Sequence, residues 1–402
     1  MPATTRELPA VPPLPRGSEP PEPVNDPAPI GLAPPLPPPV RVLGVEEFAG
    51  LRTAWDTAAL AGPWAAPFVL HGWLTARIHA LPRGGRPVIL VAGEGDGVDA
   101  GLALAIERRG PLRVARLLSG DRVSHADAIG PDGPAVEAVV RALPDLDCDV
   151  ISLTGLLAAS RIVRHGHLHL TRRVTSPLLR LDEGFAEVVG RRLTRHDRHD
   201  IRRRRRRLAE LGTVSVERDA TPAEVAAGLP DVFRLHALRW AGAPDRSDLR
   251  TPGDQAFQRE MSTALAADGR FLLHRLCLDG VAIAFRSTLL AGDRAFAYRM
   301  AFDPAYAFYA PGRLLTHDVF TELSDAGIRE IEMMGGDFEH KRTLTDVAPW
   351  LYSAIGRGAG RAGMVAAPAL AGAVDLRVRA KRSPRLRQVH ERLLAVRQGR
   401  HR

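Results

Sequence analysis

The segment Ala310-Pro311-Gly312-Arg313 opens an apolar helical stretch with residue types suited to an anion. The first backbone N–H groups of a helix have no partner within it and carry the positive end of its dipole. Pro311 removes a donor that would otherwise need satisfying, Gly312 lets the backbone approach a ligand closely, and Arg313 adds charge. A pyrophosphate is the kind of group such an opening holds. A second constellation is RHGHLHL at 164–170, where strand alternation puts His165, His167 and His169 on one face, as in a three-imidazole zinc site. No Cys, Asp or Glu stands in that segment, so a solvated strand face is expected and no metal. GEGDG at 93–97 carries two carboxylates that repel phosphate, and it reads as a hairpin turn. The chain has no Gly-x-x-x-x-Gly-Lys-Ser/Thr loop, serine nucleophile elbow or His-Glu-x-x-His helix, which argues against hydrolases and kinases built on those motifs.

The elements around Pro311 follow from periodicity and turn residues. An arginine-rich helix over 183–211 is closed by Gly212, and VSVERDA reads as a strand. Two helices follow, opened by Thr221-Pro222 and Thr251-Pro252. Arg270–Phe302 reads as three strands joined by turns at Asp279-Gly280 and Gly292-Asp293. A helix over 312–326, a strand over 328–335, a short helix and a last strand, WLYSAIGRG, complete the unit. Earlier in the chain, a helix over 45–60 precedes two strands within 87–109, so the sequence reads as two related α/β halves. The expected organisation is a proline-rich leader at 1–40, a degenerate first half at 41–182, a connecting arginine helix at 183–212, a second half at 213–360 and a basic helical tail at 361–402.

The chain has 402 residues, 45% of them hydrophobic, enough for a substantial core. Its net charge of +9 is concentrated in RRLTRHDRHDIRRRRRRL at 191–208 and in the run from 377 to 402, which attract anions of any class. No apolar stretch approaches the ~20 residues of a membrane span. The first residues lack the apolar core of a signal peptide, and Cys148 and Cys277 suit reduced thiols, so the cytoplasm is the expected compartment.

Three phrases together carry a family likeness: SPLLRLDEGFAEVVGRRLTRHDRHDIRRRRRRLAELG at 176–212, AYRMAFDPAYAFYAPGRLL at 297–315 and IEMMGGDFEHKRTL at 331–344. They resemble the BioF-like and CelD-like bacterial acetyltransferases of the GNAT (acyl-coenzyme A N-acyltransferase) superfamily, themselves similar to the FemAB peptidoglycan aminoacyltransferases with two such domains in tandem. The resemblance implies an α/β (α+β) fold of tandem GNAT-like domains, with mixed, mainly antiparallel sheets flanked by helices. It implies an enzyme that moves an acyl group, acetyl above all, from acyl-coenzyme A to an amine such as an amino sugar or biosynthetic amine, without metal. Gly336, Asp337 and Lys341 match the family's Gly-Asp-x-x-Tyr-Lys box, with His340 in the tyrosine position.

On that template the cofactor side comprises Pro311, Gly312, Arg313 and Leu314, with backbone near Met300 and Phe302 meeting the thioester oxygen. Lys341, Asp337 and Asp303 are the catalytic candidates, Lys341 as the group that holds an anionic part of donor or acceptor; Glu339, His340, Tyr298 and Tyr309 lie nearby in sequence. Asp303 can equally form a turn with Pro304, and Asp337 can cap the following helix. Two other functions are weighed: aminoacyl transfer from tRNA, as in FemAB, and a non-catalytic nucleic-acid or membrane-surface binder. No aromatic residue interleaves the arginine run, which disfavours a single-strand binder.

Overall fold

The computed structural model describes residues 38–121, 123–242, 247–336, 339–345 and 347–382. Most of the proline-rich leader, the end of the basic tail and Asp337 therefore lie outside the described residues. The first sheet contains β1 (Val40–Leu43), β2 (Arg86–Ala92), β3 (Ala100–Arg109), β4 (Leu112–Leu117), β5 (Val150–Leu157) and β6 (His169–Thr175). The second contains β7 (Leu178–Arg180), β8 (Val214–Asp219), β9 (Phe271–Leu278), β10 (Val281–Ala291), β11 (Arg294–Phe302) and β12 (Glu330–Glu332). The last strand, β13 (Trp350–Arg357), belongs to the first sheet, whose order is β1-β2-β3-β4-β5-β13-β6; the second runs β7-β12-β11-β10-β9-β8.

Both sheets are antiparallel except for one parallel pair each, β4 with β5 and β11 with β12. The two sheets thus repeat one plan, an antiparallel run ending in a short parallel pair, as expected of mixed, mainly antiparallel sheets in tandem. The strand beyond the parallel pair is exchanged. β13 comes from the end of the chain to lie beside β5, and β7 comes from the first half to lie beside β12. Alternation identifies WLYSAIGRG as a strand but says nothing of its neighbours, which are far away in sequence. Its place is fixed by packing: a Cβ on Gly358 would stand 2.4 Å from the Cys148 carbonyl oxygen, so the chain leaving β13 seats closely against the chain entering β5.

The arginine segment is two helices, Phe185–Arg192 and Arg195–Ala209, where one continuous helix is expected. Thr194 restarts the second: its hydroxyl accepts from the Asp197 N–H at 3.1 Å while the Asp197 carboxylate accepts from the Thr194 N–H at 3.2 Å. That reciprocal pair is a capping box, masked in the sequence by the surrounding arginines. The expected openings at Thr221 and Thr251 are capping boxes too. The histidine triplet does not share a strand. Ser160 caps a short helix ending at His165, His167 takes a left-handed turn (φ 46°), and only His169 enters β6.

One core joins the two halves. Phe68 from the first packs edge-on against Phe296 of β11 at 5.4 Å, and Trp73 against Phe257 at 5.3 Å. Both cysteines are buried, which pushes each thiol up to about 11, so the thiol form prevails at neutral pH.

Candidate active site

β11 and β12 pair over only three positions, Arg294–Phe296 with Glu330–Glu332. Beyond them β11 keeps its antiparallel partner β10 as far as Phe302, but its other edge has no strand beside it among the described residues. The β10–β11 register shifts between Ser287 and Leu289, placing Ala297 and Tyr298 opposite Thr288. A bulge there turns β11 away, and Met334 (φ 61°) turns the chain after β12 the other way. The result is a fork in which one edge of β11 has no strand partner among the described residues.

The helix Pro311–Asp325 begins over this fork. The N–H groups of Arg313 and Leu314 both bond back to the Ala310 carbonyl, at 2.9 and 3.2 Å, and Pro311 has none. Gly312 is left as the first-turn donor without a partner among the described residues. Its Cα faces β11: an added Cβ would stand 3.0 Å from Met300 Sδ and 3.3 Å from the Phe302 ring. Gly312 therefore seats the helix on the strand, and the close approach it permits is between those two elements. Leu314 points into the core, so only its backbone faces the helix start. Arg313 is exposed and shares its charge with Asp197 (3.3 Å) and Asp200 (3.7 Å) of the arginine helix. Arg204 and Arg207 hold their guanidiniums 6.0 and 5.6 Å from the ring of the exposed Phe308, beside the same opening.

At the root of the fork lies a group of charges, Lys341 half-buried and Arg286 and Glu332 buried. Lys341 Nζ donates to the Met334 and Gly335 carbonyls at 3.1 and 3.2 Å. Burial pushes its ammonium down to about 8, Glu332 pulls it back, and Arg286 adds to the depression. Arg286 is 5% exposed, and burial brings its guanidinium down to about 10. It donates to Thr316 Oγ1 at 2.7 Å and lies 5.2 Å from the Phe320 ring, but has no carboxylate partner among the described residues. A buried cation without a counter-ion is costly and calls for an anion.

Glu332, at the root of the fork, is 2% exposed and accepts a hydrogen bond from Ser176. His125, from the first half, holds Nε2 3.0 Å from Glu332 Oε2 but out of line for a hydrogen bond. Neither ring nitrogen has a hydrogen-bond partner among the described residues, and His125 itself takes a left-handed backbone (φ 60°). Such strain at a buried polar residue is the kind that accumulates where function holds it in place.

The other sequence candidates disperse. Asp303 caps the turn after β11, accepting from the Ala305 N–H at 2.9 Å. Tyr298 turns to the first half, 5.5 Å from Trp73 between centroids, and burial raises its phenol above the usual range. Arg286, Glu332 and His125 are the residues that reading the sequence misses. Among the described residues no group of three His, Cys, Asp or Glu side chains is placed to hold a metal.

Residues 195–342 match the family model described as an acetyltransferase (GNAT) domain. The chain carries a GNAT acetyltransferase domain, which makes it an acyltransferase. Solved structures agree on the fold. The crystal structure of FemX is 11% identical with a TM-score of 0.55, covering 78% of this chain and 96% of that one. The C-terminal domain of a protein assigned as a lysylphosphatidylglycerol synthetase from Agrobacterium fabrum is 13% identical with a TM-score of 0.53, covering 81% and 96%. No protein of curated function matches the sequence. The GNAT domain spans the arginine helix, the fork and Lys341, so the buried charges sit within it or, as His125 and Ser176 do, directly against it.

Proposed function

We propose that this acyltransferase moves an acyl group from acyl-coenzyme A to a primary amine at the fork between β11 and β12. The observation that carries the reading is the three-residue pairing of those strands, which leaves backbone free beside the opening of the Pro311–Asp325 helix. The pyrophosphate lies at that opening, against the Gly312 N–H and Arg313, and the thioester runs down into the fork. The acceptor nitrogen attacks the thioester carbonyl, the N–C bond forms, and the C–S bond breaks. Backbone N–H groups of β11 near Met300 and Phe302 stabilise the oxyanion that develops between these events. The amine's proton goes to Glu332, which Ser176 holds in place by its hydrogen bond, and the same proton is returned to the leaving thiolate as it departs. Lys341 holds an anionic part of the donor or acceptor with Arg286 behind it.

Aminoacyl-tRNA is the rival donor, favoured by the likeness to FemX across both halves and by the arginine helix beside the opening. Calorimetry with coenzyme A and acetyl-coenzyme A separates the two without knowledge of the acceptor. The wild type should bind both, and Arg313→Glu, which sets a negative charge at the exposed helix start, should weaken binding by about tenfold or more. A wild type that binds neither ligand sinks the reading. Tight binding of tRNA in their place would establish the rival.

A further inference from the structure

The helix Gly363–Arg382 packs one face on the first sheet through Ala367 and Ala371, which meet Val114, Val150 and Ile355. Its outward face is apolar. Met364, Val365 and Leu376 are 63%, 77% and 69% exposed, and Pro368, Ala369 and Gly372 between them are exposed as well. Val365, Ala369, Gly372 and Leu376 follow the four-three-four spacing of a single helical stripe. The only charged residue from 363 to 376 is Asp375, and it is held to the flank by His169 (2.9 Å) and Thr171. Where the stripe ends, the charge begins. The helix closes on Arg377, Arg379, Lys381 and Arg382, and the sequence from 377 to 402 contains ten Arg and Lys against the single acid Glu391, a net of +9 in that run alone.

We propose that this helix seats the protein on an anionic membrane surface, its apolar stripe at the level of the lipid headgroups and the basic residues that close the helix drawn to their phosphates. The two features select the same partner. A nucleic acid would use the charge and leave Met364, Val365 and Leu376 in water. A second copy of the chain would cover the apolar stripe but bring two strongly basic segments together. An anionic bilayer takes both, because apolar area enters the interface while each basic residue near the surface tightens binding roughly fivefold. The helix lies on the membrane and does not cross it: no helix among the described residues is long and apolar enough to span.

Co-sedimentation of the full chain with vesicles of phosphatidylcholine and phosphatidylglycerol, compared with phosphatidylcholine alone, tests this. Binding to the anionic vesicles should be at least about tenfold tighter and should weaken with salt. Val365→Asp with Leu376→Asp should reduce it about tenfold or more without changing the melting temperature, since both side chains are exposed. Gly372→Leu should strengthen it severalfold: no described atom lies within 4 Å of the added Cβ, and the stripe gains apolar area. A wild type that ignores anionic vesicles overturns the proposal, as does equal binding by the paired aspartate variant. Duplex binding without vesicle binding would assign the surface to nucleic acid, and a dimer dispersed by the aspartates would assign it to a second copy. Either result overturns the proposal.

Discussion

Replacing Arg286 with methionine should make the protein more stable and less active. The guanidinium is 5% exposed and brought down by burial to about 10, so no solvent screening reduces the cost of keeping it charged. At about 1.4 kcal/mol for each pH unit of displacement, that cost is roughly 3 kcal/mol. Near pH 7 the group is protonated both folded and unfolded, because that pH lies below either pKa, so the penalty is present in full. The variant forfeits the hydrogen bond to Thr316, about 1 kcal/mol, and a cation–π contact with Phe320 of roughly the same size or less. Methionine is flexible enough to fill the space against Met300 and Phe320. The net gain is about 1–2 kcal/mol, or a few degrees in melting temperature for a chain this long. Turnover should fall at the same time, since the site loses the cation that an anionic ligand would neutralise. Differential scanning calorimetry beside an acyl-transfer assay measures both. A melting temperature several degrees lower, or full activity in the variant, would show that Arg286 is an ordinary structural cation.

Lys341 should divide its two conceivable roles by pH. With an ammonium that titrates near 8, binding through its charge weakens by about tenfold between pH 7 and pH 9, whereas a base would make kcat/KM rise over the same interval. We expect affinity for the anionic ligand to fall, and Lys341→Arg, which stays charged, to flatten the profile; a rising limb in the wild type would give Lys341 the base's role. A fragment of residues 213–360 should fail to melt cooperatively, because β13 would lack β5 and β6 and β12 would lack β7. A sharp calorimetric transition from that fragment would contradict the exchange of strands.

Local chemistry was legible in the sequence and long-range pairing was not. The turns at Asp279-Gly280 and Gly292-Asp293, the caps at Thr221 and Thr251 and the helix start at Pro311 are each specified by two to four adjacent residues, and all form as expected. The resemblance singles out Lys341, and the structure shows its Nζ bonded to the chain that leaves β12. Arg286 carries a signal in the sequence: it is the only charged residue in the eleven of β10, and a lone arginine within an apolar strand marks a buried cation. Glu332 had a weaker one, a carboxylate on a short strand leading to glycines. His125 had none, since nothing near it in sequence foretells a partner 207 positions further along the chain.

The exchange of strands explains why that partner can be so distant. β7 ends the first half in sequence yet borders β12, and the residue that enters it, Ser176, donates to Glu332. β13 ends the second half yet borders β5, and the loop between β12 and β13 carries Lys341. The chain therefore crosses between the sheets twice, once on either side of the GNAT domain, and both crossings pass the root of the fork. The first half is held against the site by backbone pairing as well as by side-chain contact, so a buried histidine there can keep a fixed distance from a carboxylate in the second. Each half supplies the strand that completes the other's sheet, and by that pairing the first half becomes part of the catalytic domain's own framework.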